Sequence, residues 1–70
     1  MEEFTLTQDY IELIRLLKLL QWVPSGGIAK MVVEDELVFV NGELELRKRR
    51  KLVNGDVVEF DGMEVKVVSA

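Results

Sequence analysis

Five consecutive cations, Arg47-Lys48-Arg49-Arg50-Lys51, are the residues best suited to chemistry in this 70-residue chain. Long cationic side chains reach phosphate oxygens, and each phosphate neutralised releases condensed counterions. Arginines add bidentate contacts and stack on exposed bases. The plainer reading is a solvated edge that blocks strand-to-strand aggregation. An acidic protein would more simply use mixed charges for that purpose. The run therefore points to phosphate, and through phosphate to nucleic acid. Four or five phosphate contacts predict a log–log salt slope of about −3 to −4.

Ser25-Gly26-Gly27 is the second candidate. A helix beginning there would offer unpaired N–H groups, and two glycines would let a phosphate approach the backbone. Lys30, one turn on, would add charge on the same side. The competing reading is an interhelical turn that needs glycine for tight packing. Trp22 reads as a core or lid residue more than as a platform for a base. Glu34-Asp35-Glu36 reads as solvent-facing, since no loop of calcium-site type surrounds it.

Whole classes of chemistry are missing. The chain has no Cys, which removes disulfides, thiol catalysis and thiolate metal sites. It has no His, the usual general base and the commonest metal ligand. No catalytic site, cofactor or metal is expected. The net charge of −4 argues against nucleic acid until its distribution is read. Residues 1–46 hold three basic and nine acidic residues, and residues 52–70 hold one basic and four. All five residues of the run are cations, so an acidic body carries one concentrated basic locus. At a Debye length of about 8 Å, the distant acids are largely screened from it.

The elements that must position these residues follow from hydrophobic period. At 8.0 kDa the chain buries roughly 60% of its surface, enough for one thin core and a single domain over 1–70. Phe4 and Leu6 share one face of a short strand. A helix is predicted from about Asp9 to Gln21, capped by Thr7 or Asp9 and apolar on more than one stripe. Pro24 stops it, and Ser25 caps a second helix over Gly26 to Glu34. Two hairpins follow. Leu37–Val40 and Glu43–Leu46 flank Asn41-Gly42, and Val57–Phe60 and Met63–Val67 flank Asp61-Gly62. Asn-Gly between alternating residues is a strong hairpin signal. The predicted pairing sets Phe39 against Leu44 and Leu37 against Leu46 on the core face. Val38, Val40, Glu43 and Glu45 then face away. The second hairpin turns Val58, Phe60, Met63, Val65 and Val67 inward, with Glu59 opposite Glu64.

Continuing the first hairpin's period would bury Lys48 and Arg50 unpaired, at a cost of several kcal/mol each. The chain must leave that register near Arg47 by a bulge or loop. Leu52 and Val53 re-enter the core, so the cations are displayed on a projecting loop or edge. The fold class is α/β (α+β), two packed helices on a small, mostly antiparallel sheet. The longest apolar stretch, Tyr10 to Val23, is broken by Glu12, Arg15 and Lys18 and is shorter than the ~20 residues that cross a bilayer. No membrane partner is expected. The acidic start, Met1-Glu2-Glu3, is unlike a secretory signal, so a cytoplasmic location is expected. The chain is also expected to be a monomer.

The order Ser25-Gly26-Gly27-Ile28-Ala29-Lys30, then Val38-Phe39-Val40-Asn41-Gly42-Glu43, the basic run, and Asn54-Gly55-Asp56-Val57-Val58 resembles a known family. It is similar to the small RNA-binding domain first described in ribosomal small-subunit protein four, here called the S-four domain. The resemblance covers nearly the whole chain and is nearest to free-standing bacterial proteins of this length. It implies two helices on a small sheet and binding of structured RNA, ribosomal or ribosome-associated. The contact face it implies is the start of the second helix together with the hairpin region that follows. Many members carry Arg directly after the capping Ser. Gly26 stands there, which shifts weight to Lys30. The usual Gly before the first long strand is replaced by Glu36 or a neighbour, so that turn calls for a left-handed residue. Two rivals come from other classes. One is a β-grasp sulfur carrier, which shares Val-Asn-Gly-Glu and Gly-Asp-Val-Val-Glu but acts through a C-terminal Gly-Gly, where this chain reads Val67-Val68-Ser69-Ala70. The other is an interaction module whose basic run docks an acidic protein.

Overall fold

The computed structural model describes all of residues 1–70. Its elements are β1 (Glu2–Thr5), β2 (Ile11–Glu12), α1 (Leu13–Leu19), α2 (Gly26–Glu34), β3 (Val38–Val40), β4 (Glu43–Leu44), β5 (Lys51–Leu52), β6 (Val57–Phe60) and β7 (Met63–Val68). Five strands form one sheet in the order β1-β7-β6-β3-β4, and β2 pairs with β5 in a second, two-stranded ribbon. Only β1–β7 is parallel. The two helices contact each other and cover one face of the larger sheet, so the core lies between helices and sheet.

Local chemistry accounts for most boundaries. Ser25 caps α2, its Oγ accepting the Ile28 N–H at 3.2 Å. Asn41 and Gly42 sit at φ 54° and 81°, the positive pair that a type I′ turn requires. Asp61 and Gly62 repeat that geometry. Glu36 is held at φ 64° in the turn before β3, the left-handed conformation expected where the glycine is missing. Glu59 does stand opposite Glu64.

Helix α1 is shorter than its apolar pattern predicts. Thr7 and Asp9 do not cap it; Glu12 is its N-cap and makes no side-chain cap bond. The reason is tertiary. Ile11 and Glu12 are drawn into pairing with Leu52 and Lys51, which holds the chain extended up to Leu13. Leu13, Leu16 and Leu17 are fully buried, whereas Leu19 stays half exposed.

The first hairpin keeps its predicted Phe39–Leu44 pairing but presents the opposite face to the core. Val38 and Val40 are buried, and Leu37, Phe39, Leu44 and Leu46 are exposed. Strand β6 decides this. It aligns Val38 with Phe60 and Val40 with Val58, so the valines share the face on which the second hairpin packs under the helices. Phe39 lies opposite Glu59 on the open face. Leu37 and Leu46 do not pair, because β4 ends at Leu44. Leu52 is buried as expected, but Val53 remains half exposed in the turn before β6.

The two turn motifs that carry the family resemblance form a clasp between hairpins. The Asn41 side chain donates to Asp56 Oδ1 at 3.0 Å and accepts the Val57 N–H at 2.9 Å. Asp56 Oδ2 accepts the Val53 N–H at 2.9 Å. These side chains are therefore engaged in holding the sheet together.

Candidate nucleic-acid interface

The basic run occupies the connection between β4 and β5, residues 45–50, and the first residue of β5. Its backbone is docked on α1. The Leu13 N–H donates to the Arg50 carbonyl at 2.9 Å, and the Ile14 N–H to the Lys48 carbonyl at 3.1 Å. The loop thereby satisfies first-turn donors of α1, and its side chains point away from a fixed base.

Glu45 organises the loop from below. By period it falls on the core side of the hairpin, and it is only 4% exposed. Its carboxylate accepts from the Arg47 backbone N–H at 2.9 Å, from Arg47 Nε at 2.9 Å and Nη2 at 3.2 Å, and from Arg50 Nη1 at 2.7 Å. Burial pushes this carboxyl up, but the hydrogen bonds from Arg47 and Arg50 outweigh it and bring the pKa from 4.5 to about 2. The same bond holds the Arg47 guanidinium more firmly protonated. A buried carboxylate left without these partners would be costly, so the pairing fixes where both arginines leave the surface.

The other cations divide among different partners. Lys48 Nζ bonds Glu34 of α2 at 2.8 Å. Lys51 Nζ lies 4.9 Å from the centroid of the Tyr10 ring, a cation–π contact. Arg49 has no protein partner. Arg47, Arg49, Arg50 and Lys51 together line a surface hollow with no apolar wall.

The Lys48–Glu34 bond ties the loop to α2. Gly26, Lys30 and Glu34 are spaced four residues apart and so lie along one stripe of that helix. Lys30 therefore stands on the side of α2 that meets the basic loop. Ser25 Oγ is occupied by its capping bond, whereas the N–H groups of Gly26 and Gly27 have no protein acceptor. A Cβ at Gly26 would meet nothing within 4 Å, and one at Gly27 only Ser25 Oγ at 3.8 Å. Tight packing therefore does not explain the glycines. Glu34 pairs with Lys48, and all three residues of the acidic triplet are exposed, as expected. Trp22 is partly buried against the core, as expected of a lid residue.

Sequence reasoning missed Glu45 and Tyr10. Glu45 was legible only as an acid at the mouth of a basic run, and Tyr10 only as one apolar residue of a helix that starts three residues later.

Residues 4–68 match the family described as S4 domain. The chain belongs to this family. Among similar proteins, one from Escherichia coli (strain K12) is named "Putative RNA-binding protein YbcJ". It is 45% identical over 60 residues, covering 86% of each chain. One from Bacillus subtilis (strain 168) is named "Probable ribosome maturation protein RlbA". It is 44% identical over 54 residues, covering 77% of this chain and 76% of that one. The solution structure of E. coli YbcJ superposes with a TM-score of 0.73 at 43% identity, over 97% of this chain and 87% of that one. That structure is described as revealing an "ALFAL motif involved in RNA-binding". The S-four domain thus takes precedence over the sulfur-carrier alternative. No helix is long and apolar enough to cross a membrane.

Proposed function

We propose that this protein binds structured RNA through Arg47, Lys48, Arg49, Arg50 and Lys51, with Ser25, Gly26, Gly27 and Lys30 completing the contact face. The observation that carries the reading is the purely cationic hollow, joined to the Lys30 stripe of α2 through Lys48 and Glu34. Phosphate contacts position a protein without reading sequence, so shape is the expected basis of recognition. The name of the YbcJ relative supports an RNA target, and that of RlbA supports a role connected with ribosome maturation. The protein acts as a monomeric binding module in the cytoplasm, and no catalytic step is assigned to it.

Two carboxylates now offset the five cations, Glu45 beneath the arginines and Glu34 on Lys48. The effective locus is closer to three charges, which lowers the expected log–log salt slope to about −2 to −3. The test is competition at fixed salt between a hairpin RNA and a single strand of equal length, followed by a salt titration of the preferred one. Preference for the hairpin is expected, together with loss of binding in an Arg47→Ala, Arg49→Ala, Arg50→Ala triple variant that still folds. Wild-type affinity in that variant would overturn the reading.

A further inference from the structure

A second cavity, of about 400 Å³, opens beside the basic loop between the end of β1, the segment leading into β2, and α1. Its walls include Leu6, Tyr10, Ile11, Glu12, Arg15 and Leu19. The volume lies within the range of small-ligand sites. Tyr10 and Leu19 are 39% and 52% exposed, apolar surface for which the fold supplies no cover. Glu12 and Arg15 are in no ion pair, so both keep their hydrogen-bonding capacity for a ligand. The cavity is continuous in chemistry with the cationic hollow. Lys51 lines the hollow, Tyr10 lines the cavity, and the Lys51 ammonium lies over the Tyr10 ring.

Resting on the RNA-binding reading above, we propose that this cavity receives one unstacked nucleobase of the bound RNA, and that guanine is the base it fits. A phosphate held in the hollow leaves its own or a neighbouring base at the Tyr10 rim. Stacking on an aromatic ring is the usual way for a protein to hold a splayed-out base. The two polar groups then select. Guanine offers N1–H and N2–H donors to the Glu12 carboxylate, and O6 and N7 acceptors to the fork of Arg15. Adenine sets its own N1 acceptor against a carboxylate, and no pyrimidine offers two adjacent N–H donors beside two acceptors on the adjoining edge. The protein would thus combine shape recognition on the loop with readout of a single base.

Titration of the free protein with GMP, AMP, CMP, UMP and ribose 5-phosphate, followed by NMR, tests this without any RNA. GMP is expected to shift the Tyr10 and Leu19 resonances, and ribose 5-phosphate only those of residues 47–51. Arg15→Gln and Glu12→Gln should each reduce the preference for GMP over AMP by about tenfold. Both should leave ribose 5-phosphate binding unchanged. Identical shift patterns for GMP and ribose 5-phosphate would overturn the proposal, as would a guanine preference that survives Arg15→Gln. The hairpin competition is run on the same proteins. Hairpin binding by the wild-type protein without a GMP response rejects the base site alone, whereas failure of the wild-type protein to bind the hairpin rejects the RNA reading.

Discussion

Replacing Glu45 by glutamine keeps the shape of the group beneath the basic loop and removes its charge. In the native protein that carboxylate accepts four hydrogen bonds, three from Arg47 and one from Arg50. Burial alone would raise its pKa, yet the bonds from Arg47 and Arg50 bring it to about 2 from 4.5. That difference corresponds to about 3 kcal/mol of stability as an upper bound. Arg47 lies largely in solvent, and screening there reduces the figure to about 2 kcal/mol. The folded pKa is below the unfolded one, so the stabilisation is complete above the unfolded value and fades as pH falls from 4.5 toward 2. At pH 7 Glu45→Gln should therefore be less stable by about 2 kcal/mol, about 10 °C in melting temperature for a domain of this size. At pH 3 wild type has lost more than half of the contribution, and the gap between the proteins should narrow in proportion. Urea unfolding followed by Trp22 fluorescence at the two pH values measures both quantities. A gap of equal size at pH 7 and pH 3, or none at pH 7, would refute the electrostatic account of the loop.

Two further substitutions probe the site and the sheet. Gly26→Ala places its methyl in open space at the start of α2, so thermal stability should rise slightly, by up to about 1 kcal/mol. RNA affinity should fall at the same time if a phosphate approaches that backbone; unchanged affinity would remove Gly26 from the contact face. Val40→Ala should cost about 2 kcal/mol in chemical denaturation, because Val40 is 1% exposed. Phe39→Ala, on the open face, should cost less despite deleting a larger side chain. The reverse order would mean that the hairpin faces had been misassigned.

The parts of this protein whose signals are local can be read from the chain alone. Ser25 caps a helix over Gly26–Glu34 because a serine hydroxyl satisfies a first-turn N–H whatever lies around it. Asn41-Gly42 and Asp61-Gly62 close hairpins because few residue pairs accept positive φ twice in succession. An exit from strand register was expected near Arg47, from Leu44 and Leu46 facing the core; the strand ends earlier, at Leu44, and both leucines are exposed. A left-handed residue at Glu36 or a neighbour was implied by the family resemblance, and Glu36 takes that conformation.

Tertiary structure overruled the local pattern where the two disagreed. One face of the first hairpin is wholly apolar, Leu37, Phe39, Leu44 and Leu46, while the other mixes Val38 and Val40 with Glu43 and Glu45. Alternation therefore favoured the first face for the core, and pairing with β6 chose the valines instead. Helix α1 lost its first predicted turn because Ile11 and Glu12 found strand partners some 40 residues away in sequence. The basic run was readable as charge but not as architecture. Its partial neutralisation by Glu45 and Glu34, its docking on the start of α1 and its contact with Tyr10 all join residues from separate elements. Such meetings depend on how helices and sheet pack in three dimensions, and residue spacing along the chain does not encode them.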